Sequence, residues 1–327
     1  MPTRPNLVLI TTGGTIAGRA TAPDQTTGYE AGALDAADLL GAIPGHDALA
    51  RIDVSPLLAI DSKDMTPVHW LQMARAVAAH LARPDCDGVV LTHGTDTLEE
   101  TAWFLHLVLP PGKPVVITGA MRPASALSAD GPMNLYQALR VAVSPESHGK
   151  GVLVVMNDQI FAGAEVTKTD THALDAITAP VTGALGAAAP VRYWRKPDLT
   201  SAGMVPIHTL AALTELPRVD ILYVAAGSDP DLLMGAGERQ AGGVVLALPG
   251  DGSLPAAWHG AAREATASGV RVVRASRTGR GFVSSETGSD ETPALLASGK
   301  LSPTKARIGL MLELCTGASA LLAHLAG

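Results

Sequence analysis

Apolar residues in this chain fall into short continuous runs and not alternating ones: NLVLI (6–10), GVVLT (88–92), PVVIT (114–118), GVLVVM (151–156), VDILYVAA (219–226), GVVLAL (243–248) and VRVVRAS (270–276). Such runs predict strands buried on both faces, as in a parallel sheet covered by helices. Between them the spacing changes to the helical period. Thr66 and Pro67 make a helix start, and Trp70, Met73, Ala74, Val77 and Leu81 follow on one face. Further helices are predicted over EETAWFLHLVL, PMNLYQALRVAV (132–143), 229–240 and 256–268, and a last one from Ser302 and Pro303 to Cys315. Strand, helix, strand in this order implies right-handed βαβ units, with ligands bound where loops leave the carboxyl ends of the strands.

The rhythm breaks between 190 and 215, where charges and prolines follow no clean period. The expected class is therefore α/β. A larger N-terminal domain (1–192) has a mainly parallel sheet flanked by helices. A linker (193–214) leads to a smaller C-terminal α/β domain (215–327), also with a parallel sheet.

Two polar loops sit at predicted strand ends. The first, VLITTGGTIAG (8–18), places Thr11, Thr12, Gly13, Gly14 and Thr15 at the mouth of the first strand. Its glycines read G-G-x-x-x-G, which lacks the spacing of a dinucleotide fingerprint and the lysine of a P-loop. A tight strand-to-helix turn is the plainer reading. The second loop, HGTDTLEE (93–100), offers Thr95, Asp96 and Thr97. Helix capping accounts for Thr97, with Glu99 and Glu100 favoured near the positive end of the helix dipole. Thr95 and Asp96 are left unspent. A threonine hydroxyl needs a base before it can attack, and G-x-S-x-G is absent. His93 is a base in principle, although a lone histidine beside a glycine is more often structural. Lys168 in VTKTDT and Tyr29 in QTTGYEAG are other routes, and each alone reads as a surface lysine and a loop anchor.

Composition narrows the partners. The chain of 327 residues carries 24 basic and 31 acidic side chains, a net charge of -7, which argues against nucleic acid or an anionic membrane surface. No apolar run reaches the length of a spanning helix. The segment MPTRPNLVLITT lacks the features of a leader, so the expected location is cytoplasmic, with a removed periplasmic leader left open. Cys86 and Cys315 show no paired spacing, so neither a disulfide framework nor a metal site is expected.

TGGTIAG followed by HGTDTLEETA strongly resembles the bacterial L-asparaginase/glutaminase family, which uses a threonine nucleophile. TTGYEAGAL, IDSKDMT, MRPASALSADGPMNL, VTKTDT, RASRTGRG and LSPTKAR look like landmarks of that family in the same order, across nearly the whole chain. The resemblance implies Thr15 as nucleophile, with Tyr29 on a lid helping to activate it and Thr12 bonded to backbone. It implies that Thr95, Asp96 and Lys168 form a second catalytic set. L-asparagine would lie against Gly14, Ser62, Lys63, Gly94, Thr95 and Asp96, with Ser62 on its α-carboxylate and Asp96 on its α-ammonium. Ser253 and a glutamate, Glu291 or alternatively Glu286, would complete a neighbouring subunit's site in a homotetramer. No cofactor or metal is implied. The implied reaction is hydrolysis of L-asparagine, with side activity on L-glutamine. The alternatives are an ammonia-generating subunit of a tRNA amidotransferase and a non-catalytic asparagine sensor. Lys63 departs from the pattern: relatives often carry Gln or Glu there, whereas an ammonium group only donates.

Overall fold

The computed structural model describes residues 4–25, 28, 30–285, 295–318 and 320–327. The chain divides into two compact units, Met1–Ala212 and Leu213–Gly327.

The first unit is built on an eight-stranded sheet. Strands β1 (Asn6–Gly13), β2 (Arg51–Ile60), β3 (Gly88–Thr92), β4 (Val115–Thr118) and β5 (Val152–Met156) run parallel in the order β2-β1-β3-β4-β5. A short hairpin, β7 (Thr167–Lys168) with β8 (Ile177–Thr178), stands apart. Strands β6 (Gln159–Ala162), β9 (Gly186–Ala188) and β10 (Val191–Tyr193) extend the sheet antiparallel beyond β5. The β5–β6 turn forms because Asn157 and Asp158 take left-handed backbone angles, φ 48° and 63°, which these two residue types tolerate in a tight hairpin.

Every residue of β3, β4 and β5 is buried, which is why these strands read as unbroken apolar runs. One face packs under helix α5 (Gly131–Val143), where Leu135, Ala138 and Leu139 meet Leu7, Leu9, Val90, Val116 and Leu153. Helices α3 (Pro67–Leu81) and α4 (Leu98–Val108) join through Trp70 stacked on Phe104 at 5.7 Å. Shorter helices α1 (Ala36–Gly41) and α2 (His46–Leu49) precede them in the chain. Residues beyond β10 stay bound to this unit: Gly203 and Val205 donate backbone hydrogen bonds to His106 and Leu107 of α4.

The apolar pattern does not predict β2. It is an edge strand whose residues are mostly half-exposed or exposed, and Pro56 sits inside it, a residue that edge strands accept because one rim makes no ladder bonds. The antiparallel strands β6, β9 and β10 are also beyond the pattern. In the second unit, β11 (Val219–Tyr223), β12 (Gly243–Leu248), β13 (Arg271–Ser276) and β14 (Leu296–Ala297) form a parallel sheet with helices α6 (Asp231–Glu238), α7 (His259–Ala267), α8 (Pro303–Thr316) and α9 (Leu321–Ala326). Its core gathers Leu233, Val244, Leu246, Trp258 and Ala262. The helix predicted over 256–268 begins as a 3₁₀ turn, Ala256–Trp258, before α7.

At the carboxyl end of β1 the two glycines answer a steric demand. Gly13 has φ 95°, and a Cβ there would lie 2.5 Å from both the nitrogen and the oxygen of Ile60. Gly14 has φ 79°, and a Cβ there would lie 2.4 Å from the Cα of Gly94. The expected result for Gly13→Ala is a loss of about 2–4 kcal/mol of unfolding free energy, since backbone must move on a strained residue. A urea titration within experimental error of the parent would contradict it.

Candidate active site

Thr12 and Thr15 leave β1 with different fates. Thr12 is 1% exposed, and its hydroxyl donates to the carbonyl of Thr92 at 2.8 Å, tying the end of β1 to β3. Thr15 opens the 3₁₀ turn Thr15–Ala17 and lines a pocket of about 220 Å³ at the carboxyl ends of the strands. The backbone bridge between Arg19 and Glu30 closes the segment that follows, and Gly28 from that segment lines the same pocket. Tyr29, assigned to activating Thr15, lies outside the described residues, as do Glu286 and Glu291.

The loop after β3 meets the loop after β2 at Gly94. A Cβ on Gly94 would lie 2.6 Å from Ser62 Oγ, so the glycine lets the two loops touch. Ser62 is buried, and its Oγ accepts the Asp96 backbone N–H at 3.2 Å. The hydroxyl proton of Ser62 is thereby left to donate elsewhere, while the Asp96 amide is spent. Thr97 corrects an expectation: its side chain does not cap α4, and its hydroxyl donates to the carbonyl of Ser62 at 2.8 Å. Local sequence reads Thr97 as a cap because it precedes the helix; the neighbouring loop supplies a competing acceptor.

His93 is fully buried between these loops. Its Nδ1 lies 2.7 Å from the Gly94 carbonyl, which can only accept, so Nδ1 carries the proton. Nε2, 2.9 Å away, then accepts from the Thr101 hydroxyl. Burial pushes its pKa down to about 4. His93 is thus a neutral brace for the loop. The folded protein takes up this proton near pH 4 and the unfolded chain near 6.5. The unfolded state therefore holds more protons between those values, and the His93 contribution to stability is complete above 6.5 and declines as the pH falls towards 4. An NMR titration should find the His93 imidazole neutral at pH 6; a midpoint at or above 6 would contradict this assignment.

Lys168, on β7, reaches across to the second loop. Its Nζ donates to Thr95 Oγ1 at 3.0 Å and to Asp96 Oδ1 at 2.6 Å. The Lys168 side chain is 18% exposed and that of Asp96 55%, so the pair lies at a pocket wall with its carboxylate open to water. The pocket into which Thr15 opens is lined by Thr95, Asp96, Lys168, Asp61 and Lys63 as well. The structure thus brings together Thr15, Thr95, Asp96 and Lys168, with Gly14, Gly94 and Ser62 packed immediately behind them.

Lys63 does not stand alone. Its Nζ pairs with Asp61 Oδ2 at 2.6 Å, and this hydrogen bond raises the lysine pKa. Nothing in the local pattern of IDSKDM marks Asp61 as a partner of Lys63. Thr171 and His172 also line the pocket; they follow Lys168 closely, but no pattern in the residues marks them. Ser253 belongs to the second unit, where its N–H donates to Pro249 in the turn after β12. Among the described residues no group of three or more His, Cys, Asp and Glu side chains could hold a metal ion.

Two strand-end threonines and a lysine bridging a hydroxyl to a carboxylate, above a mainly parallel sheet, define an α/β protein with a threonine–lysine–carboxylate site. The family described as "Asparaginase, N-terminal" matches residues 6–198, and the "Glutaminase/Asparaginase C-terminal domain" matches residues 218–320. The L-asparaginase 2 of Bacillus subtilis (strain 168) is 41% identical over 310 residues, covering 95% of this chain and 82% of that one. The probable periplasmic L-asparaginase of Haemophilus influenzae is 39% identical over 95% of this chain and 88% of its own. A solved structure of a probable cytoplasmic L-asparaginase from Campylobacter jejuni superposes with a TM-score of 0.92, at 37% identity, covering 98% and 99% of the two chains. The chain belongs to the asparaginase/glutaminase family.

Proposed function

We propose that this protein is an L-asparaginase that converts L-asparagine to L-aspartate and ammonia, with Thr15 as the nucleophile. The observation that carries the reading is Lys168 Nζ bridging Thr95 Oγ1 and Asp96 Oδ1 in the pocket that Thr15 lines. Thr15 Oγ1 attacks the side-chain amide carbon, its proton passes to the departing nitrogen, and ammonia leaves an ester on Thr15. Tyr29, adjacent in sequence to the pocket residue Gly28, assists that first proton transfer. Water then attacks the ester, with Thr95, Lys168 and Asp96 relaying its proton, and Thr15 regains its hydroxyl. The Thr95 backbone amide, with the Asp96 amide already committed to Ser62, stabilises the oxyanion, a donor worth on the order of 3 kcal/mol of barrier. The free proton of Ser62 serves the substrate α-carboxylate, and Asp96 its α-ammonium.

The relatives named above match 95% or more of this chain and are described as an L-asparaginase or probable L-asparaginases, which favours this activity over an amidotransferase subunit. A sensor would lack the nucleophile or the lysine, and both are present. We further propose a cytoplasmic homotetramer in which Ser253 and Glu291, or Glu286 in its place, complete a neighbouring site. The cytoplasmic reading follows the Campylobacter relative, described as a probable cytoplasmic L-asparaginase; the Haemophilus relative is described as a probable periplasmic one.

The test is ammonia release from L-asparagine and, separately, from L-glutamine. Release from asparagine is expected to exceed that from glutamine, because one methylene separates the substrates and is worth about 1–3 kcal/mol. Folded protein that releases ammonia from neither substrate would overturn the assignment. A monomer by light scattering would overturn the shared site.

A further inference from the structure

Glu99 reads in the sequence as an acid favoured by the helix dipole at the start of α4, and the structure gives its carboxylate a second task. The Glu99 Oε2 accepts the Lys168 backbone N–H at 2.9 Å and also the hydroxyl of Thr167. Two consecutive residues of β7 therefore hang on one oxygen. That strand is only two residues long. On its other flank it pairs with β8, Thr167 against Thr178 and Lys168 against Ile177. The Lys168 backbone is thus gripped between a short hairpin partner and the first turn of α4.

The same helix follows directly from the loop that carries Thr95 and Asp96. A closed circuit results. From Glu99 the connection runs through the Lys168 backbone, along its side chain to Nζ, across to Thr95 and Asp96, and back along the chain through Thr97 to α4. A lysine has four rotatable side-chain bonds, so its ammonium group stays within 3.0 Å of Thr95 Oγ1 only where the backbone end is held. The hydroxyl of Thr97 fixes the loop end by donating to Ser62.

We infer that Glu99 is a positioning residue: its carboxylate, by holding Thr167 and Lys168, sets the reach of Lys168 Nζ to Thr95 and Asp96. This rests on the proposed role of Lys168 in turnover. Glu99 acts on the reaction through the lysine backbone. Because these two hydrogen bonds end on one oxygen, glutamine can keep them with its carbonyl.

The experiment is steady-state kinetics on L-asparagine for Glu99→Ala, Glu99→Gln and Thr167→Val, alone and with Lys168→Met. A displacement of the lysine by about an ångström should lower kcat of Glu99→Ala by on the order of 10- to 100-fold. KM should change less than about threefold, since the loss falls on the transition state and not on binding. Glu99→Gln should restore kcat to within about threefold of the parent, because it keeps both acceptances. Added to Lys168→Met, Glu99→Ala should cost nothing more, as expected when one residue acts only through the other.

Parent-like kcat in Glu99→Ala would overturn the inference, as would Glu99→Gln impaired as deeply as the alanine variant. Where Glu99→Ala fails to fold, Thr167→Val removes one of the two donors; a smaller loss of kcat supports the clamp and an unchanged kcat overturns it. Full activity of Lys168→Met would instead remove the catalytic role of Lys168. That failure is separate from a parent-like Glu99→Ala beside an inactive Lys168→Met.

Discussion

Thr15→Ala should lower turnover of L-asparagine by on the order of 10⁴-fold or more while the protein stays folded, because no covalent intermediate can form without its oxygen. The side chain opens a short 3₁₀ turn and lines the pocket, so trimming it to alanine leaves the sheet and the glycine bend in place. Thr12, three residues earlier, is the control. Its hydroxyl points into the sheet and donates to the Thr92 carbonyl. Thr12→Ala should therefore cost about 1 kcal/mol of stability, with turnover kept to within about tenfold. Paired measurement of ammonia release and urea midpoints separates the two. If Thr12→Ala proved the inactive variant and Thr15→Ala the merely destabilised one, the nucleophile would be misassigned.

The second large effect is expected at Lys168. Lys168→Met keeps much of the length and apolar body of the side chain but removes the three donors of the ammonium group. Loss of a positioned acid–base group costs roughly 10²–10⁴-fold in rate. Lys168→Arg should not recover it, because a guanidinium is planar, bulkier and never gives up its proton in proteins. Stability should change by less than about 1 kcal/mol, as the ion pair faces an Asp96 side chain that stays largely hydrated. A large rate loss with an unchanged melting temperature would mark the group as catalytic. A melting temperature that falls together with rate, and no loss per folded molecule, would make it a structural ion pair.

The legibility of the fold followed burial. Strands β3, β4 and β5 are covered on both faces, so their sequences hold nothing but residues that prefer burial, and their continuous runs mark them. The edge strand β2 has no such uniform surroundings, and its mixture of Arg51, Asp53 and Pro56 among apolar residues hides it. Strands β6, β9 and β10 are short and antiparallel, and their pairing depends on partners elsewhere in the chain. The helix starts at Thr66 and Ser302 were legible because capping and a first-turn proline are local chemistry.

The site divides along the same line. Which residue types stand at the ends of β1 and β3, and their likeness to asparaginases, was determined by the sequence by itself, since a motif is a statement about neighbours in the chain. Lys168 alone reads as a surface lysine; only folding brings it 3.0 Å from Thr95, across 73 positions of sequence. The same holds for Asp61 beside Lys63, for Thr97 turned to Ser62, and for Glu99 holding the lysine strand. Local spacing fixes periodicity, caps and turns, because these are set by dihedral angles a few residues apart. Which acceptor a hydroxyl finds, and which carboxylate a lysine meets, is decided by loops from different strands converging at one end of the sheet, and only the tertiary structure contains that convergence.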